Sequence, residues 1–166
     1  MIYKIRVIFD STEDVFRDIA IETTATLEDL HNTITQSFGF EGNEMASFYL
    51  SDDDWNQGDE FPLFDMSEGL MSNPSMSSTT IETALPHKNA RMLYVYDFLS
   101  MWTFFVEVFE IEEPEPGVSY PAVAMVFGQL PDSAPDKEFI IEKTDNFDDG
   151  EEDEDNDSFD EYDYYN

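Results

Sequence analysis

From residue 2 onward the apolar side chains fall at every second position. Tyr3, Ile5, Val7 and Phe9 share one face and Lys4 and Arg6 the other, the alternation of a half-buried β-strand. After a polar turn at 11–14, Val15, Ile19 and Ile21 again share a face, so the two runs are expected to form an antiparallel hairpin. Lys4 and Arg6 are then placed to pair with acids such as Asp18 or Glu22 on the solvent face. The period changes at Thr26. Its hydroxyl can cap a helix whose first turn carries Glu28 and Asp29, acids that complement the positive helix end. Leu27, Leu30, Ile34 and Phe38 recur at helical spacing and should face the hairpin, leaving Glu28, Asn32, Thr35 and Gln36 more exposed, and Gly39 is the natural stop.

Beyond the helix, 47–50 reads as a short strand ending in a polar loop at 51–58. Residues 66–80, rich in Ser and Met, are expected to be a mobile insertion, and 81–85 one helical turn before Pro86. Two long apolar strands should follow, at 91–98 and 102–112. The second is apolar on both faces, with Trp102, Phe104, Val106 and Val108 alternating with Phe105, Phe109 and Ile111, which suits a central strand. A Pro-Glu-Pro-Gly break precedes a buried-looking run at 122–127, and 138–142 should form a last edge strand. The order of hairpin, helix and further strands is that of an α+β domain with a β-grasp, ubiquitin-like core. Its sheet should be mixed or antiparallel, with one main helix packed across a face.

Charge divides the chain. Residues 145–166 hold twelve of the 39 acids, no Lys or Arg, and five aromatics, so they are expected to form a disordered acidic tail on a folded domain at 1–144. The tail contributes −12 and the body −20 to a formal charge of −32. Such a field repels phosphates and favours a basic protein partner, and seven Lys and Arg in the whole chain leave no counterion-displacing patch for direct nucleic-acid binding. In the tail, Phe147, Phe159, Tyr162, Tyr164 and Tyr165 are candidate anchors, since acids steer an encounter and rings hold it. The absence of cysteine removes disulfides and thiolate chemistry and fits a cytoplasmic protein. The N-terminal alternation is that of a strand rather than of a signal peptide, and no window of about 20 apolar residues marks a membrane span.

Recognisable catalytic chemistry is sparse. Only His31 and His87 can carry protons near neutral pH; His31 flanks the helical apolar stripe, and His87 follows a proline in a loop where a neutral role is expected. Asp52-Asp53-Asp54 points adjacent carboxylates apart, as a solvated loop does. A calcium-loop register around Gly150 gains Asp145 and Asp149 but places Phe147 and Asn156 where ligand oxygens are required, so only weak, non-specific divalent cations are expected, with no cofactor and no resident metal. Phosphate-loop, dinucleotide and nucleophile-elbow motifs are missing.

Certain segments carry a family resemblance. Thr26-Leu27-Glu28-Asp29-Leu30-His31, Ser37-Phe38-Gly39-Phe40, Phe48, and above all Tyr94-Val95-Tyr96-Asp97-Phe98 followed by Trp102 resemble the Ri-plasmid ORF-3-like family, some of whose members are labelled transposon passenger proteins. The resemblance runs through most of 2–130, extends to an acidic-tailed subgroup, and implies a fold rather than an activity. Where typical members carry histidines after the helix, this chain has Glu44 and Ala46. Where they read Asp-Phe-Gly-Asp and place a His after the Trp, it has Leu99, Ser100 and Phe104. The candidate binding residues are therefore Asp97, Tyr94, Tyr96, Trp102, His31 and Glu44. Asp97 is also suited to accepting N–H groups at a strand end. The expected function is a non-enzymatic interaction module for a basic or aromatic-recognising protein. The alternatives are a nucleic-acid mimic that occupies a DNA-binding protein, and a metal-dependent or acid–base enzyme using Asp97 and His31.

Overall fold

The hairpin forms as the alternation requires, β1 (Ile2–Phe9) pairing antiparallel with β2 (Phe16–Glu22) so that Val7 faces Arg17 and Ile5 faces Ile19. The computed structural model describes residues 1–64 and 74–134. After the hairpin come α1 (Leu27–Phe38), β3 (Ala46–Ser51), β4 (Gln57–Pro62), the single turn α2 (Ile81–Ala84), β5 (Arg91–Tyr96), β6 (Trp102–Glu112) and β7 (Ala122–Phe127). The strands make one seven-stranded sheet in the order β4-β3-β5-β6-β1-β2-β7, with every neighbouring pair antiparallel. The α+β class holds, but no mixed sheet is present among the described residues. A ubiquitin-type β-grasp sets its first strand parallel to a later one, whereas both neighbours of β1 here run antiparallel. The molecule therefore shares with that core its opening hairpin and its helix.

β6 lies in the middle of the sheet, as its two apolar faces require. Its Phe104, Val106 and Val108 are fully buried with Val7, Phe9, Met92 and Tyr94 from the adjacent strands, and Leu27, Leu30 and Ile34 of α1 are buried as well. Thr26 caps the helix with a reciprocal capping box, its hydroxyl accepting from Asp29 N–H while the Asp29 carboxylate accepts from Thr26 N–H. Thr35 is buried rather than exposed, because its hydroxyl donates to Asn32 O and its carbonyl accepts from Phe40 N–H at the helix exit. No helix among the described residues is long and apolar enough to cross a membrane.

Four further expectations change. The polar loop gives way at residue 57 to an edge strand, β4, whose Gly58, Asp59, Glu60 and Pro62 are residues that blunt an edge. Residues 74–80 are a pinned strap: Met76 is fully buried, its N–H donates to Pro62 O, and the helix start bonds to Met76 O and Thr79 O. The remainder of the expected insertion, 66–73, lies outside the described residues, as do the edge strand at 138–142 and the tail at 145–166. Lys4 pairs with Glu112, while Arg6 does meet Asp18 at 2.7 Å. The run 122–127 is an exposed edge strand instead of a buried one.

Tyr3 closes the far end of the core by donating its hydroxyl to Leu85 O at 2.8 Å. Tyr3→Phe leaves that buried carbonyl without its donor and should lower stability by about 1–2 kcal/mol in urea titrations. An unchanged midpoint would show that the carbonyl finds another partner.

Candidate functional site

The helix exit builds one wall of a surface concavity. Gly39 takes φ +85°, a left-handed conformation that favours glycine, and so lets Phe40 N–H return to Thr35 O at 2.9 Å. Phe40 thereby stacks on Tyr96 at 4.4 Å and meets Trp102 edge-on at 5.3 Å. Tyr96 ends β5 and Trp102 begins β6, paired in register, and the Tyr96 hydroxyl accepts from Gly42 N–H. Around this aromatic floor opens a cleft of about 700 Å³, bounded by the α1 C-terminus, the 40–44 loop, the β5–β6 turn and residues 129–132.

Its rim is acidic. Glu41, Glu44, Asp97 and Asp132 line it, and the carbonyl-rich C-terminal end of α1 adds a negative partial charge. Among the described residues the one cation in the lining is Arg17, 5% exposed, which is spent on the fold. Its guanidinium donates to Ser37 O, Phe16 O, Phe127 O and Gly128 O and lies 4.5 Å over the Phe38 ring. Burial lowers its pKa from the ordinary arginine value, yet arginine remains cationic at any working pH. Arg17 was legible in principle, since it falls in phase with Val15, Ile19 and Ile21 and is thus a cation on a core-facing register.

Asp97 holds the β5–β6 turn. Its N–H donates to Met45 O at 2.7 Å, its carbonyl accepts from Met101 N–H, and its carboxylate accepts from Leu99 N–H at 3.2 Å. Asp97 and Met101 both sit in the left-handed region, φ 64° and 60°, which for Met101 is a strained conformation. The turn they bound projects Leu99, 97% exposed, beside partly exposed Phe98 and Met101.

The structure thus brings together Asp97, Glu44, Tyr96 and Trp102 and leaves out Tyr94 and His31. Those two are buried and joined to each other, His31 Nδ1 to Tyr94 Oη at 2.7 Å. Desolvation pushes the His31 pKa down to about 4 and raises that of Tyr94 well above its usual value. Asp97 and His31 therefore share no site. Among the described residues no three His, Asp or Glu side chains gather as metal ligands do. The tail residues Phe147, Phe159, Tyr162, Tyr164 and Tyr165 lie outside the described residues. Periodicity did not single out Phe40, Glu41 or Asp132. Only the glycine stop followed by an aromatic hinted that the chain turns a ring inward there.

Fold and cleft define an α+β protein built on one antiparallel sheet, with an acidic, aromatic-floored cleft at one sheet end. The chain belongs to the plasmid pRiA4b ORF-3-like proteins, whose match runs over residues 1–161. A crystal structure of a protein of unknown function from Methanosarcina mazei Go1 is similar in fold, with a TM-score of 0.62 at 22% identity over 75% of this chain and 68% of that one. The search of curated proteins found no match.

Proposed function

We propose that this protein is a non-enzymatic interaction module that holds a basic protein partner through the acidic cleft, with the Leu99 turn as an adjoining apolar contact. The observation that carries the reading is the imbalance of the rim. Among the described residues four carboxylates line a cavity whose one cation is already tied to backbone carbonyls. A Lys or Arg side chain entering there finds the carboxylates of the rim, with the half-buried Phe40 ring in the same lining. Other bases are committed too. Lys4, Arg6 and Arg91 pair with Glu112, Asp18 and Glu107, and Lys88, which is exposed and in none of these ion pairs, does not by itself make a cationic patch for an anionic ligand.

The partner's apolar side chains would meet Leu99, Phe98 and Met101, whose exposure on a strained turn suits a contact point. The acids of 145–166 extend the same field and steer encounter, with their five aromatics as further anchors. A chain without cysteine suits the reducing cytoplasm as the place of action.

The test is titration of a fluorescent Lys- and Arg-rich peptide into the protein and into the Glu44→Gln, Asp97→Asn variant. Removing two rim charges should weaken binding by about tenfold, at about 0.2–1 kcal/mol per exposed charge pair, and flatten its salt dependence. Equal affinity for both proteins would remove the cleft from the interaction.

A further inference from the structure

The two edges of the sheet are built differently. β4 presents Gly58, Asp59, Glu60 and Pro62, residues that discourage another strand from pairing. β7 presents Ala-Val-Ala-Met-Val-Phe, with no charge, no proline and no glycine, and its large side chains are open on both faces: Val123 42%, Met125 50%, Val126 59% and Phe127 51% exposed. It pairs with β2 on one side only among the described residues. An antiparallel strand directs about half of its N–H and C=O groups away from its neighbour, so the outer rim of β7 offers a row of backbone donors and acceptors.

We propose that β7 is a strand-addition site, at which an extended apolar segment of a partner, carrying Lys or Arg at its ends, adds an eighth strand to the sheet. Charge selects the occupant. Phe127 pairs with Phe16 and so lies beside Asp14, whose carbonyl comes within 2.6 Å of where a Cβ on Gly128 would stand, and Asp132 follows five residues after Phe127. At the other end Ala122 pairs with Ala20, two residues before Glu22. The strand is neutral, Arg17 at its Phe127 end is spent on Phe127 O and Gly128 O, and the other charged residues near its ends, Asp14, Asp132 and Glu22, are acids, which fits an apolar strand with basic ends. A second copy of this chain would instead bring two charges of −32 together.

The close approach at Gly128, φ +78°, turns the chain from β7 directly into the cleft wall at 129–132. A basic residue at the Phe127 end of an added strand would therefore reach the acidic rim. The inference rests on the preceding reading for the basic character of the partner alone; the backbone pairing is independent of the cleft.

The probe is the peptide Lys-Lys-Val-Thr-Val-Thr-Val-Lys-Lys, compared with the same peptide N-methylated at alternate strand residues. Methylation keeps every charge and side chain but removes the backbone donors. With the full chain, the unmodified peptide should bind at least tenfold more tightly and slow hydrogen exchange at the outward amides of 122–127. Placing cations on the strand, Met125→Lys with Val126→Lys, should abolish that advantage. Equal binding of both peptides, or protection confined to residues 40–44 and 97–102, would overturn strand addition while leaving the cleft reading intact. Unchanged binding in the Glu44→Gln, Asp97→Asn variant with the methylation effect retained would do the reverse. Outward amides already protected in the protein alone would also overturn it. Protection that rises with protein concentration would identify a second copy as the occupant, and protection independent of concentration the chain's own residues 135–166.

Discussion

Replacing Arg17 with Met should lower the unfolding free energy by about 3–5 kcal/mol, the largest single effect expected outside the apolar core. Met keeps the aliphatic stem that packs near Phe38 but removes the donors to Ser37 O, Phe16 O, Phe127 O and Gly128 O. Hydrogen bonds from a charged group contribute about 1.5–3 kcal/mol each, and relief of the buried cation's desolvation returns part of their sum. Arg17→Lys should fall between the two, because an ammonium cannot fork toward carbonyls on separate segments. Those segments are the α1 exit, β2 and the end of β7, so loss of the fork should also loosen the 129–132 wall and weaken peptide binding at the cleft. Chemical denaturation monitored by tryptophan fluorescence checks the first part. A loss below about 1 kcal/mol would mean that water satisfies these carbonyls in the native state.

Acid should act through His31 in a defined window. Its folded pKa is about 4 against an ordinary 6.5, so the native state holds the ring neutral while the unfolded chain protonates first. The stability attached to the neutral ring is complete above pH 6.5 and is lost as pH falls toward 4, amounting to about 3 kcal/mol at the lower end. His31→Gln, which can still bond to Tyr94, removes that linkage. The stability difference between the native and variant proteins should therefore shift in the variant's favour by that amount between pH 6.5 and pH 4. Parallel pH profiles would place the histidine titration outside the protein's acid response. The comparison is needed because protonation of the many carboxylates relieves self-repulsion over an overlapping range and changes both proteins alike.

Local pattern carried much of the fold. Alternation located the first hairpin, helical spacing together with Thr26 and Gly39 set both ends of α1, and the two apolar faces of residues 102–112 placed β6 at the centre of the sheet. It failed where side chains alone misreport burial. The apolar run 122–127 reads as core but forms an edge, and the polar, proline-bearing run 57–62 reads as loop but pairs with β3. The Ser- and Met-rich stretch concealed Met76, whose burial depends on a strap crossing the start of α1.

The candidate site was half legible. Tyr96, Asp97, Trp102 and Glu44 were named and do converge, whereas His31 and Tyr94, equally prominent in the same motifs, satisfy one another inside the core. Periodicity says which face of an element a residue occupies, but not which other element covers that face. Arg17 shows the difference: its register was plain, and its partners, 20 and more residues away for Ser37, Phe127 and Gly128, were not.

By itself the sequence determined the local elements, their caps, and the sign and size of the charge, because these depend on neighbours along the chain or on a simple sum of side chains. The tertiary structure alone decided which strands border the sheet among the described residues, which titratable groups lose water, and that residues near 17, 40, 97 and 132 line one cleft. Those outcomes follow from strand order and long-range pairing, which bring distant segments together through burial and backbone hydrogen bonds that no local period encodes.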